Sequence, residues 1–138
     1  MNVSSYTQLN EKLWIGPQPN VDILKHLQVD EIISLRRSTE SKLATLHYPL
    51  TYWEESFNGE DIKQLILLVN KLIIEGKKIL VHCYSGIDRS GVFAILYLVN
   101  EGYTVEDAIE YYKKLRNLPL PGFGALDKLE VWSKKILS

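Results

Sequence analysis

The sequence over residues 78–91 is Lys-Ile-Leu-Val-His-Cys-Tyr-Ser-Gly-Ile-Asp-Arg-Ser-Gly, and this stretch decides the fold. Residues 78–82 have an unbroken apolar centre, which is typical of a strand buried on both faces of a parallel sheet. Residues 83–89 follow as a loop, and residues 90–101 are apolar enough to form a buried helix. A buried strand, a loop and a buried helix in this order predict one unit of an α/β domain.

Outside this unit, strand-like and helix-like segments alternate along the chain. We predict further strands at residues 12–15, 31–35 and 46–50. We predict helices that run from an Asn20 cap to Leu27, from Asn58 or Gly59 to Glu75, from a Thr104 cap over residues 105–116, and over residues 125–137. The alternation predicts an α/β fold with a central, mostly parallel sheet of about four to five strands flanked by helices. We expect residues 1–138 to form a single domain, since the chain has 138 residues.

The spacing of apolar residues predicts which helix faces are buried. In the helix after Asn20, Val21, Leu24 and Leu27 share one face. In the helix over residues 105–116, the inward face consists of Val105, Ala108, Ile109, Tyr112 and Leu115. We expect these faces to pack against the rest of the domain.

Composition and charge restrict the class of protein. The chain is 46% hydrophobic and 24% charged, as in globular proteins with a core, and its net charge of −1 gives no reason to expect a nucleic-acid partner. Residues 1–13 lack the layout of a secretory signal, and the longest apolar stretches fall far short of the roughly 18 residues of a membrane-spanning helix. One Cys and three His do not favour a metal cluster. We therefore expect a cytoplasmic protein with no membrane partner and no metal. We also expect a monomer that uses no cofactor, although the net charge itself carries no information on the oligomeric state.

The loop over residues 83–89 combines several features that suit an anion. A loop that enters a helix N-terminus offers free backbone N–H groups and the positive end of the helix dipole. Gly86 allows the backbone to curl so that successive N–H groups converge. These features stabilise a thiolate at Cys83, and Arg89 can hold two phosphate oxygens with its planar guanidinium. The loop therefore predicts a phosphate site that contains a nucleophilic sulfur.

Each of these residues alone has an ordinary structural interpretation. A free Cys is most often a small buried apolar residue, and an Arg most often forms a surface ion pair. Ser90 alone is a helix cap, and His82 alone is a hydrogen-bonded histidine beside the sheet. Their joint occurrence between a buried strand and a buried helix favours the chemical interpretation.

The motif His82-Cys83-x5-Arg89-Ser90 resembles the signature of the cysteine-dependent protein tyrosine and dual specificity phosphatases. Residues 13–19, which read Leu-Trp-Ile-Gly-Pro-Gln-Pro, and residues 24–35 are similar to the opening strand, helix and strand of the small dual specificity members. The helices around residues 115–121 and 126–132 are also similar. The resemblance covers most of the chain and implies a minimal, dual-specificity-phosphatase-like catalytic domain.

This resemblance implies a metal-independent hydrolase whose substrate is a phosphorylated protein or peptide. Phosphotyrosine is the first expected substrate, and the sequence leaves open whether phosphoserine or phosphothreonine is also one. Cys83 would attack phosphorus and give a cysteinyl-phosphate intermediate, which water then hydrolyses. His82 would orient the loop and keep Cys83 ionised, and the Ser90 hydroxyl would stabilise the departing sulfur. The implied phosphate-binding residues are Tyr84, Ser85, Gly86, Ile87, Asp88 and Arg89.

The motif leaves open which group protonates the leaving oxygen. The resemblance implies an Asp on the loop before the helix that starts near Gly59, but residues 51–60 contain none. Some related phosphatases place an Asp directly before the signature Arg, so Asp88 is the first candidate, although the adjacent Arg89 favours its ionised form. Glu55 and then Glu54 are the alternatives, because they lie on the expected loop.

Two other functions share this motif. A lipid or RNA-end phosphatase would use the same loop and nucleophile, but Tyr84, Ser85 and Ile87 bring no positive charge for a polyanionic substrate. A non-catalytic module that binds phosphorylated ligands is the other alternative. Degenerate members of the family usually lack the Cys or the Arg, and this chain retains both.

Overall fold

A computed structural model of the chain describes residues 3–37, 42–50, 53 and 57–138. A single 3-10 turn at Val3–Ser5 precedes five strands: β1 (Thr7–Asn10), β2 (Leu13–Gly16), β3 (Glu31–Ser34), β4 (Leu46–His47) and β5 (Ile79–His82). They form one sheet in the order β1-β2-β5-β3-β4. The pairing of β1 with β2 is antiparallel and the other three pairings are parallel. The predicted mostly parallel sheet of an α/β fold is therefore confirmed.

Five helices connect and cover these strands: α1 (Val21–Leu27), α2 (Glu60–Ile74), α3 (Arg89–Asn100), α4 (Val105–Leu115) and α5 (Ala125–Leu137). The predicted caps are present, since Asn20 Oδ1 accepts from the Ile23 N–H at 2.9 Å and Thr104 Oγ1 accepts from the Asp107 N–H at 3.1 Å. Gly76 follows α2 in the left-handed region, with φ of 87°. None of the helices in these described ranges is long and apolar enough to cross a membrane.

The central strand β5 and the helix that follows it form the middle of the core. All four residues of β5 are buried, and it lies between β2 and β3 in register with both. Side chains alternate across the sheet, so Ile79 and Val81 face the main core while Leu80 faces α1 on the other side. Eleven of the twelve residues of α3 are buried, from Arg89 to Val99. The N-terminus of α3 is therefore fixed directly above the end of β5.

The two predicted helix faces are confirmed except for one residue in each, Val21 in α1 and Leu115 in α4. Val21 is 52% exposed, and α1 instead buries Ile23 and Leu27 against Tyr6, Ile32 and Leu80 on the sheet. Val21 is the first residue of α1, and it points away from the strands. In α4, Leu115 is exposed and the next residue, Arg116, is buried. Arg116 leaves the helix with an extended backbone, which turns its side chain inward.

The strand predictions differ from the structure at the two edges of the sheet. Strand β1 was not predicted, because Thr-Gln-Leu-Asn is short and has few apolar residues, although its burial alternates as an edge strand does. Strand β4 covers two residues rather than the predicted 46–50. The chain continues along the sheet without strand geometry, since the Leu50 N–H donates to the Leu35 carbonyl at 3.1 Å. Tertiary pairing, more than local sequence, sets both edges.

Because α3 is the buried centre of the core, we expect Phe93→Ala to lower the free energy of unfolding by about 3–5 kcal/mol. Phe93 is fully buried, and its ring lies 5.7 Å from that of Tyr97. Urea denaturation measures the change. Val131→Ala on the 64% exposed surface of α5 is the matched control, with an expected change within about 0.5 kcal/mol. Equal effects for the two variants would contradict the central position of α3.

Candidate active site

The loop between β5 and α3 surrounds the sulfur of Cys83 with hydrogen-bond donors. Cys83 is 1% exposed, the Gly86 N–H donates to its Sγ at 3.2 Å, and Ser90 Oγ lies 3.2 Å from the same atom. Ser90 is in the first turn of α3, where the helix dipole is positive. Both contacts and the dipole stabilise negative charge on the sulfur. The negatively charged thiolate is the form of cysteine that acts as a nucleophile.

Gly86 is required by the curl of this loop. Its φ is 74°, a conformation that residues with a Cβ rarely adopt. A Cβ at this position would lie 2.5 Å from the backbone nitrogen of Pro17 and 2.6 Å from the carbonyl carbon of Gly16. The loop therefore packs backbone against backbone onto the connection between β2 and α1.

Arg89 and His82 lie on either side of Cys83 along the chain, and both are buried. Arg89 is 6% exposed, and its Nη1 donates to the carbonyl of Leu35, just after β3, at 3.3 Å. His82 Nδ1 lies 3.2 Å from the Cys83 carbonyl, and since that oxygen can only accept, Nδ1 carries the proton. Burial lowers the pKa of His82 to about 4, and the charge of Arg36 acts in the same direction. His82 is thus neutral near pH 7, so it orients the loop without adding positive charge.

Arg116 supports the loop from behind, a contact that the sequence analysis missed. It is 4% exposed, and its Nη1 donates to the Gly86 carbonyl and, at 2.9 Å, to the Tyr112 hydroxyl. Its Nη2 donates to the Ser5 carbonyl at 2.7 Å. Because a trans peptide is planar, a Gly86 carbonyl turned toward Arg116 points the Ile87 N–H the opposite way. The Ile87 N–H donates to Ser85 Oγ at 3.3 Å.

The charge of Arg116 also matters to the site. Within the part of the chain that the structure describes, no carboxylate forms an ion pair with it. Burial raises the pKa of Tyr112, so its hydroxyl stays neutral and offers only an oxygen lone pair. A buried cation with neutral partners leaves a net positive potential around it. The field at the loop therefore favours an anion.

Asp88 contacts the segment before α5 and not the sulfur. Its Oδ1 accepts from the Gly122 N–H at 2.8 Å, and the Gly122 carbonyl accepts from Trp53 Nε1 at 3.1 Å. The Trp53 ring packs 5.0 Å from that of Trp132, so this chain of contacts is anchored in the core. The two alternative acids, Glu54 and Glu55, lie outside the described residues.

The remaining loop residues form the mouth of the site. Tyr84 and Ser85 are exposed, and Ile87 is half-buried. The guanidinium of Arg36 lies over the Tyr84 ring, 4.9 Å from its centroid. The sequence analysis missed Arg36, although a signal was present: the carboxyl ends of parallel strands share one edge, and Arg36 follows β3 as Tyr84 follows β5.

Residues 13–135 match the family model described as "Dual specificity phosphatase, catalytic domain". The chain belongs to this family. This confirms the resemblance on which the sequence interpretation was based, and it identifies the chain as a protein phosphatase of the tyrosine and dual specificity class.

Individual relatives agree with the family match. A protein of Invertebrate iridescent virus 6, 123R, named as a candidate tyrosine phosphatase, is 29% identical over 89% of this chain and 88% of its own length. Human dual specificity protein phosphatase 5 is 28% identical over 84% of this chain, which spans only 32% of that protein. The crystal structure of DUSP15 superposes with a TM-score of 0.80 and is 25% identical, covering 95% of this chain and 91% of that one.

If Arg116 holds the loop in its binding conformation, Arg116→Met should lower kcat/KM for an aryl phosphate by about tenfold or more, the effect of losing charge-assisted hydrogen bonds. Arg116→Lys should recover part of the loss, because it keeps the charge and one donor direction. Lys113→Met, on the exposed surface of the same helix, is the control. Steady-state kinetics and inhibition by inorganic phosphate measure the effect. A lower free energy of unfolding with unchanged kcat/KM and phosphate inhibition would restrict Arg116 to a role in the fold.

Proposed function

We propose that this phosphatase domain hydrolyses phosphate monoesters of protein substrates with Cys83 as the nucleophile. The observation that carries the proposal is the sulfur of Cys83, held at 3.2 Å from both the Gly86 N–H and the Ser90 hydroxyl at the N-terminus of a buried helix. Phosphotyrosine, phosphoserine and phosphothreonine are the substrates that the family suggests. The printed names of the relatives assign tyrosine and dual specificity activity to those proteins.

The reaction takes place in two displacements. In the first, the Cys83 thiolate attacks phosphorus, a sulfur–phosphorus bond forms, and the phosphorus–oxygen bond to the substrate breaks while the leaving oxygen takes a proton. In the second, water attacks phosphorus and the sulfur departs as inorganic phosphate forms. The Ser90 hydroxyl lies close enough to donate to the departing sulfur. The acid gives up its proton in the first displacement and takes one from the attacking water in the second, so the thiolate and the acid are regenerated only when both displacements are complete.

Arg89 and the loop N–H groups stabilise the transferring phosphoryl group. Charge accumulates on its three equatorial oxygens, and preorganised donors lower the barrier because they need not reorient during the reaction. Arg89 is suited to this role because its guanidinium can bind two oxygens at once. Its contact with the Leu35 carbonyl fixes the side chain before substrate arrives. The N–H of Ile87 would exchange the Ser85 hydroxyl for a phosphate oxygen.

We assign the proton donor for the first displacement to Asp88, with Glu55 and Glu54 as alternatives. Asp88 immediately precedes Arg89, the residue proposed to bind two phosphate oxygens, and its contact with Gly122 orients the carboxyl group. In the first displacement this carboxyl group would donate its proton to the leaving oxygen.

The nucleophile assignment predicts that Cys83→Ser releases no phosphate from either an aryl phosphate or a phosphotyrosine peptide, because the hydroxyl is not ionised near neutral pH. The same variant should still bind the peptide, since Arg89 and the loop N–H groups are intact. Phosphate release and calorimetric titration measure the two properties. Binding without release in the unmutated protein would instead favour a phosphate-recognition module. Undiminished release by Cys83→Ser would contradict the nucleophile.

The acid assignment predicts a dependence on the leaving group. Asp88→Asn should reduce kcat by about 10²–10⁴ for a phenyl phosphate with a poor leaving group and far less for one with a good leaving group. The Asn side chain keeps an oxygen for the Gly122 N–H, so the loop geometry is preserved. Glu55→Gln and Glu54→Gln are measured in parallel. If one of them, and not Asp88→Asn, shows the contrast between leaving groups, that glutamate is the acid.

A further inference from the structure

Arg36 is attached to the mouth of the active site by contacts on two sides. It follows Leu35, whose N–H donates to the His82 carbonyl at 2.8 Å and whose own carbonyl accepts from Arg89 at 3.3 Å. Its guanidinium lies over the ring of Tyr84, the residue after Cys83, at 4.9 Å from the centroid. Arg36, which follows the Leu35 carbonyl bound by Arg89, therefore stacks on Tyr84, which follows Cys83.

Gln18 closes this arrangement into a ring of three residues. Its side-chain Oε1 accepts from Arg36 Nη1 at 3.0 Å, and its backbone N–H donates to the Tyr84 carbonyl at 3.0 Å. Arg36 is half-buried, and Tyr84 is 66% exposed. An arginine stacked on an aromatic ring keeps the edge of its guanidinium available for hydrogen bonds to an oxyanion. The side chain is thus fixed before any ligand binds.

The charge of Arg36 has no acidic partner in the described ranges, where the ion pairs involve Lys113 and Lys135. Its field nevertheless reaches the base of the site, since it acts with burial to lower the pKa of His82. An ordinary surface arginine would be mobile and solvated, and it would bind a substrate anion at a cost in side-chain entropy. Here Gln18 and Tyr84 have already removed much of that freedom.

We propose that Arg36, stacked on Tyr84, forms an anion subsite that recognises a second acidic group beside the phosphorylated residue of a protein substrate. The subsite rests on the proposed function, because it lies at the mouth of the same loop. Its ligand is an oxyanion on a neighbouring side chain, either the carboxylate of an acidic residue or a second phosphate. The loop residues Tyr84, Ser85 and Ile87 are neutral. Arg36 therefore supplies a positive charge at the rim that these loop residues do not provide.

The test is a double-mutant cycle between the protein and a phosphotyrosine peptide. One Glu is placed in turn at each of the positions within two residues of the phosphotyrosine, and each peptide is matched by one with Gln. We expect kcat/KM to favour Glu over Gln at one position by about fivefold in the unmutated protein, the upper range for a partly exposed ion pair. Arg36→Gln should abolish this preference, and Arg36→Lys, which keeps the charge but not the planar stack, should retain part of it.

Further arms identify the ligand and exclude a general charge effect. Arg37→Gln removes an exposed positive charge from the adjacent residue and should leave the Glu preference unchanged. Phosphoserine in place of Glu distinguishes a second phosphate from a carboxylate. The preference should also decline at about 1 M salt, where the screening length is about 3 Å.

The inference is overturned if no position gives a Glu preference that depends on Arg36, or if Arg37→Gln removes the preference equally. It is also overturned if Arg36→Gln affects only a bisphosphorylated phosphoinositide and no peptide, because the ligand would then be a lipid headgroup. The peptide with Gln at every tested position serves as the reference. Its turnover separates the two hypotheses, since a failure to hydrolyse any peptide contradicts the proposed function and not the subsite alone.

Discussion

The whole site depends on the tight curl of the backbone between Cys83 and Arg89. The curl turns the Gly86 N–H toward the sulfur and delivers the chain into the first turn of α3. Such a loop gathers partial positive charges that would repel each other if no anion were close, so it has little reason to form by itself. It exists because the surrounding structure holds it, and that support explains much of the arrangement of the domain.

Four segments distant in sequence supply the support. The connection after β2 packs against Gly86, where a side chain has no room. The end of β3 accepts a hydrogen bond from Arg89, Arg116 joins the Gly86 carbonyl to the N-terminal segment at Ser5, and Gly122 donates to Asp88. The buried strand β5 and the buried helix α3 fix the two ends of the loop. The loop geometry is therefore a property of the tertiary structure, although the motif itself is local.

This distinction explains what the sequence could predict. Periodicity and caps identified β5, α3 and the long helices because those elements are strongly apolar and have local start and stop signals, such as Asn20 and Thr104. The loop was identified because Cys83, Gly86 and Arg89 are chemically unusual together. Arg116 could not be predicted, because its importance comes from an extended backbone that departs from helical spacing. Asp88 was identified as a candidate, but its contact with Gly122, 34 positions away, required the fold.

The same distinction bears on substrate choice. The residues proposed to hold phosphate are contiguous, and a motif can specify them, whereas the mouth of the site combines Tyr84 with Arg36 and Gln18 from two other segments. Phosphate binding and the proposed substrate selection therefore depend on different residues: a substitution of Arg36 alters the charge at the mouth and replaces no donor of the loop. The backbone bond between Gln18 and Tyr84 ties the mouth to the loop, so the rim follows the position of the nucleophile. The fixed distance between Arg36 and the sulfur of Cys83 would consequently select the distance between the phosphate and a second acidic group on a substrate.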